Sequence, residues 1–120
     1  MQVPSHKIEL DCFSGLQNPS FEITKEDFVT LYEEVMKLEK ASSLSLYDGL
    51  GFRGIILSEG NALIITVQNK VIEVELRNEK VRFRGNSSIA LNAIMLFKKY
   101  DREGKYLSLV KSVMDEYHLN

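Results

Sequence analysis

Residues Gly49 to Gly54 read G-L-G-F-R-G, the G-x-G-x-x-G spacing with which a backbone can cradle a phosphate. Glycines so placed leave several N–H groups able to converge on one acceptor, and Arg53 would add a fixed planar charge among them. The dinucleotide fingerprint, however, needs a strand before it and a helix after it, so that the phosphate meets the helix N-terminus. Here a serine-rich run precedes the glycines and the β-rich run Ile55 to Leu57 follows them. A kinase-type glycine loop does lead into a strand, but the chain has no H-R-D or D-F-G segment. The pattern is therefore read as a corner whose glycines permit positive φ or close backbone approach, and as a cradle for an anionic group of a ligand or partner.

A second corner, Phe13 to Pro19, reads F-S-G-L-Q-N-P. Pro19 pushes Asn18 toward an extended conformation, Gly15 can take left-handed angles, and the side chains of Ser14 and Asn18 can tie up loop backbone. The segment is expected to be a stiff turn carrying the first strand into the first helix. Positioned loops concentrate function. The candidate ligand-binding residues are therefore Ser14, Gly15, Asn18, Asp48, Gly49, Gly51 and Arg53.

Reactive constellations are sparse. Asp11, Asp48 and Glu59 could converge at one end of a sheet, and with Arg53 they define an enzymatic alternative in which an acid–base site assembles only in the fold. No residue is assigned a catalytic role. His6 and His118 lie near opposite termini without partners at metal spacing, and are expected on the surface. The serines are not in G-x-S-x-G or another nucleophile setting. Cys12, the single cysteine, reads as an inert thiol in an apolar strand. Arg77, Lys80, Arg82 and Arg84 form a basic cluster in which Arg82 and Arg84 share a strand face. It is read as the wet side of a sheet, with a patch for RNA, DNA or an acidic protein as the alternative.

Hydrophobic periodicity supplies the elements that hold these corners. Ile8 to Phe13 alternates as a half-buried strand. Phe28, Leu31, Tyr32, Val35 and Leu38 mark a helix from Lys25 to Lys40, capped by Thr24, with Asp27 at the position of a capping-box acid. Ser42 to Gly54 holds three glycines and three serines in thirteen residues and is expected to be irregular. Ile55–Leu57, Leu63–Val67, Val71–Leu76 and Val81–Arg84 then follow as a meander of antiparallel hairpins. Ser87 or Ser88 can cap a nearly all-apolar helix. Gly104 either separates this from a third helix or interrupts one long one. The order β-α-β-β-β-β-α-α predicts an α+β fold with an antiparallel sheet and helices packed on one face.

At 120 residues and 44% hydrophobic content, one domain spanning 1–120 is expected. The net charge of −2 argues against nucleic acid as the default partner. The lone cysteine, the absence of a secretory pattern in Met1 to Lys7 and the lack of a long apolar run suit a soluble, cytoplasmic protein with no membrane partner. No residue pattern asks for a metal or a cofactor. Sheet edges and the amphipathic third helix offer routes to a homodimer.

The runs F-S-G-L-Q-N-P-S-F, L-G-F-R-G and A-L-N-A-I-M-L resemble, in the same order and with similar spacing, a family of small microbial proteins. That family's pattern is F-S-G-R-P-N-P-x-W, then L-G-Y-R-G, then A-L-E-x-W-L-L. This chain departs from it at Leu16, Gln17 and Phe21, where the pattern has Arg, Pro and Trp. The resemblance implies a grouping and carries no activity with it. The expected function is a non-enzymatic binding or accessory protein whose 13–19 and 49–54 loops contact a small molecule or a protein partner. The alternatives are the acid–base enzyme and a nucleic-acid- or toxin-directed protein using the basic strand 77–84.

Overall fold

The computed structural model describes residues 5–12, 17–49 and 51–119. Along them run β1 (His6–Leu10), β2 (Ser20–Ile23), α1 (Lys25–Met36), β3 (Ile55–Glu59), β4 (Leu63–Val67) and β5 (Val71–Leu76), then β6 (Glu79–Arg84), α2 (Ser87–Tyr100) and α3 (Leu107–Glu116). The fold is α+β, with one six-stranded sheet in the spatial order β2-β1-β3-β4-β5-β6 and every neighbouring pair antiparallel.

Alternation decides which side of each strand is buried. Ile8 faces Leu57, Leu57 faces Ile65, Ile65 faces Val74, and the row one step along runs Leu10, Ile55, Val67, Ile72 and Phe83. All of these are buried and join one core cluster with Phe28, Leu31 and Val35 of α1, Ala93, Ile94 and Phe97 of α2, and Val110 and Val113 of α3. The opposite side of the sheet presents Lys7, Glu9, Ile56, Ser58, Ile64 and Thr66, none of them buried. Further along, Arg82 there pairs with Glu73 at 3.0 Å and donates to the Leu44 carbonyl, which brings the long 41–54 connection against β5 and β6 and leaves Glu73 buried.

The meander lies where hydrophobic alternation places it, but the N-terminal third differs. Phe13–Pro19 does not deliver the chain to a helix. It joins β1 to a second strand, β2, whose Phe21 and Ile23 continue the inward row opposite Ile8 and His6. The first helix is also about one turn shorter than the apolar spacing predicts, ending at Met36 and not at Lys40. The chain leaves α1 at Lys37 so that Glu39 and Ala41 can pair with β6, through Arg84 N–H to the Glu39 carbonyl at 2.8 Å and Ala41 N–H to the Arg82 carbonyl at 2.9 Å. Backbone pairing with the sheet edge ends the helix there, and Leu38, beyond the helix, still packs against the core.

Caps follow the same economy of polar groups. Thr24 caps α1 as its residue type predicts, accepting from Asp27 N–H at 3.2 Å. The Asp27 carboxylate does not turn back to close a capping box. It accepts from Tyr100 Oη at 2.6 Å and Lys99 Nζ at 2.8 Å, while the Tyr100 hydroxyl takes the acid's place and accepts from Thr24 N–H at 3.0 Å. In α2 the cap is Asn86, accepting from Ile89 N–H at 2.9 Å, and not Ser87 or Ser88, which form the first turn. Asp101 ends α2 and accepts from Lys105 and Tyr106 N–H, so two helices stand where one interrupted helix was the competing reading.

The Lys99 ammonium, and after it the Tyr100 hydroxyl, hold the Asp27 carboxyl below the usual carboxylate range. A depressed folded-state value means the stabilisation is present above the ordinary carboxylate range near pH 4 and disappears as pH falls through the folded value. Comparing thermal midpoints of the protein and Asp27→Asn from pH 7 to about pH 2.5 should give a constant gap above about pH 4 that closes below it.

Candidate functional site

The 49–54 corner and the described end of the first corner, Asn18 and Pro19, meet at one end of the sheet, beside the C-terminal end of β1. Arg53 N–H donates to the Asp11 carbonyl at 2.7 Å and Asp11 N–H to the Gly54 carbonyl at 3.0 Å, extending the β1–β3 ladder beyond its regular part. The side chains repeat the connection. Arg53 Nη2 and Nε reach the two Asp11 carboxylate oxygens at 2.8 and 3.3 Å, and Arg53 Nη1 donates to the Gly49 carbonyl at 3.2 Å. The Asp11 hydrogen bonds raise the guanidinium above its already high ordinary value, so its charge is permanent here.

Asn18 brings in the other corner. Its Oδ1 accepts from Cys12 N–H at 3.1 Å, and its Nδ2 donates to Glu9 Oε2 at 3.0 Å and Asp11 Oδ1 at 3.2 Å. The Pro19 carbonyl accepts from Leu10 N–H at 3.0 Å. Asn18 thus bridges two acidic side chains, Glu9 in β1 and Asp11 just past it. Ser14 and Gly15 lie outside the described residues. Asp48 is exposed in the 41–54 connection. Cys12 is half-buried just past β1, and burial followed by the charge of Asp11 pushes its thiol up, away from the reactive thiolate.

The glycines of G-L-G-F-R-G differ in how strictly the fold requires them. A Cβ at Gly49 would meet the ring of Tyr47, with the phenol oxygen at 2.5 Å. Gly51 has open space around it but φ of +88°. Gly54 combines φ of +130° with a Cβ position 2.9 Å from the Val67 carbonyl oxygen. The spacing that resembles a phosphate loop therefore serves one left-handed turn at Gly51 and the entry into β3 at Gly54, while at Gly49 the exposed Tyr47 side chain can move aside for a Cβ.

Gln68, at the end of β4, staples the connection to the sheet. Its Oε1 accepts from Tyr47 N–H at 2.9 Å, and Nε2 donates to the carbonyls of Tyr47 and Arg53, both at 2.8 Å. With this amide saturated and only 6% exposed, the backbone at Tyr47 is fixed while its ring stays 54% exposed. Between that ring, the 68–71 turn and the end of α3 lies an open groove of about 370 Å³, lined by Ser45, Tyr47, Phe52, Gln68, Lys70 and Tyr117 among others. Phe52 and Tyr117 meet at 5.2 Å between ring centroids, and burial pushes the Tyr117 phenol far above its ordinary value.

The basic cluster is interleaved with acid. Arg82 pairs with Glu73 at 3.0 Å, Lys80 lies 3.9 Å from Glu75, and Arg84 lies 3.9 Å from Glu39. Arg77, with Asn78, forms the positive-φ turn between β5 and β6. His6 is not a surface histidine: it is 7% exposed, with Nε2 at 2.9 Å from Glu59 Oε2 and its ring against Phe28. Its place on the inward side of β1, opposite Ile23 and Glu59, explains the burial. His118 is exposed at the end of α3. Among the described residues no three His, Cys, Asp or Glu side chains converge as a metal site, and no helix is long and apolar enough to cross a membrane.

Sequence reasoning named Asn18, Gly49, Gly51 and Arg53 but missed Gln68, Tyr47 and Tyr117. The first is a common polar residue whose role appears only when β4 ends beside the glycine corner. No family profile, curated protein or solved structure matches this chain.

Gly54→Ala should destabilise the protein by about 3 kcal/mol or more, combining left-handed strain with a backbone clash, whereas Gly51→Ala should cost about 1–2 kcal/mol from strain alone. Urea unfolding of both variants checks the order.

Proposed function

We propose that this is a non-enzymatic binding or accessory protein that contacts its ligand at the end of the sheet held by the 49–54 corner, in a groove that no described residue of the 13–19 corner lines. The observation that supports this reading is the groove beside Tyr47. It has aromatic walls from Tyr47, Phe52 and Tyr117, a cation at Lys70, and a backbone held by Arg53 and Gln68 before any ligand arrives. Preorganised aromatic surface with few convergent polar groups is the usual character of a small-ligand site. The chemistry of the lining favours a flat apolar body carrying an anionic substituent, the ring against Tyr47 and Phe52 and the anion toward Lys70.

In this reading Arg53 acts by holding the corner together and not by touching the ligand, because its guanidinium already serves Asp11 and Gly49. The acid–base alternative has less support. Both oxygens of Asp11 accept hydrogen bonds from Arg53 or Asn18, a poor arrangement for a proton carrier. The nucleic-acid alternative is weakened by the carboxylate beside each of Lys80, Arg82 and Arg84.

Anilinonaphthalene sulfonate, a planar aromatic anion, serves as the probe. Its fluorescence titration should saturate, and Tyr47→Ala and Lys70→Ala should each weaken binding by about threefold to tenfold with thermal midpoints little changed. Amide chemical shifts should move at 45–54, 68–71 and 116–117. Saturable binding that neither substitution affects, or none at all, would exclude this groove as the contact site.

A further inference from the structure

The two edges of the sheet are finished differently. On β6, the segment Glu39–Ala41 pairs with Arg82–Arg84 through Lys40 and Phe83, covering that end of the edge, and Lys80 guards the rest. On β2 the ladder phase is set by Leu10 N–H to the Pro19 carbonyl. In the register of β1 with β2 this makes Phe21 and Ile23 the residues whose backbone groups bond β1, and turns those of Ser20 and Glu22 outward. The next outward N–H, on Thr24, is taken by the Tyr100 hydroxyl. Ser20 and Glu22 are both exposed, and among the described residues nothing pairs with their outward backbone groups.

We propose that the β2 edge pairs antiparallel with the same edge of a second copy of this chain, about a twofold axis at Phe21, giving one sheet continuous across both copies. Hydrogen-bond phase and charge select the register. Ser20 must stand opposite Glu22 of the second copy, so that both outward pairs bond twice and each Glu22 carboxylate meets a serine hydroxyl. Slipping by two residues in one direction would set Glu22 against Glu22, like charges directly opposed. Slipping the other way would set Ser20 against Ser20 and Glu22 opposite Asn18, so that Glu22 loses the serine hydroxyl as its partner.

In this register Phe21 faces Phe21 of the second copy in a non-hydrogen-bonded pair, where side chains approach most closely. Each ring already packs on Phe97 at 5.2 Å and Tyr106 at 6.1 Å. Beside it an open hollow of about 320 Å³, lined by Phe21, Tyr100 and Tyr106 among others, has room for the incoming ring. The pairing is isologous and consumes the open edge of both copies, while each β6 edge is covered at one end by Glu39–Ala41 and carries the Lys80 charge at the other, so assembly stops at two. A four-residue edge with one aromatic contact belongs to the small-interface class, so the dimer is weak and concentration-dependent.

Sedimentation equilibrium from about 5 to 500 µM should show the mass rising from 13.7 kDa toward twice that value. Glu22→Pro deletes an N–H that points away from β1, and it should stay at monomer mass with an unchanged circular dichroism spectrum. The register is tested separately, and independently of whether that variant folds. Ser20→Cys and Glu22→Cys proteins, both also Cys12→Ser, are mixed under mild oxidation. The separation of about 5.5 Å between paired Cα atoms suits a disulfide. Each should crosslink to the other and not to itself, and Lys80→Cys on the β6 edge should crosslink to neither. Monomer mass throughout, or self-crosslinking as efficient as mixed crosslinking, would overturn the proposal.

Discussion

One ion pair organises the end of this molecule where its chemistry is concentrated. Arg53 grips Asp11 with two nitrogens on two oxygens, and the backbones of the same residues bond beneath it. A fork-on-fork pair restricts orientation as well as distance. The third arm of the guanidinium, on the Gly49 carbonyl, fixes the glycine corner relative to β1, and Asn18 carries the constraint to the other corner through the same carboxylate. Without Arg53, a half-buried Asp11 would be left beside Glu9 with Asn18 as its remaining side-chain donor in this network. Two neighbouring carboxylates would then repel one another with only the neutral Asn18 amide between them and no opposite charge to offset it.

Downstream of that pair lies a chain of consequences. A corner held at Gly49 and Arg53 lets the Gln68 amide reach both Tyr47 and Arg53 carbonyls, and the fixed Tyr47 backbone sets one wall of the groove. The opposite wall, Phe52 on Tyr117, hangs from the same corner and from α3. The glycines make these approaches geometrically possible and none of them needs a phosphate to explain it. At the other edge, β2 lies antiparallel to β1, and Asn18 just before it bonds Glu9, Asp11 and Cys12, so the network at Asp11 reaches the open edge as well.

How far this was legible depends on whether the signal was local. β4 and β5 coincide with the runs Leu63–Val67 and Val71–Leu76, because alternation and turn residues both mark their ends. The Thr24 cap and the irregular 41–54 connection are likewise local. β2 was hidden although Phe21 and Ile23 alternate with Ser20 and Glu22: four residues before a helix cap carry too little pattern to separate a strand from a loop. The end of α1, the Tyr100 hydroxyl at its first turn and the burial of His6 all depend on partners more than forty residues away, which periodicity does not encode. Of the site, residue types identified the two corners. That they share Asp11, and that Arg53 is spent on holding them, is a property of the sheet register.

The most direct measurement is a double-mutant cycle on Asp11→Asn and Arg53→Gln, read by urea midpoints, with hydrogen exchange of the Tyr47 amide followed alongside. If the pair is the organising contact, each single variant lowers the midpoint and speeds exchange at Tyr47, and the double variant is scarcely worse than the poorer single one. Fully additive losses, with Tyr47 exchange unchanged in all variants, would show that the corner is held by something else.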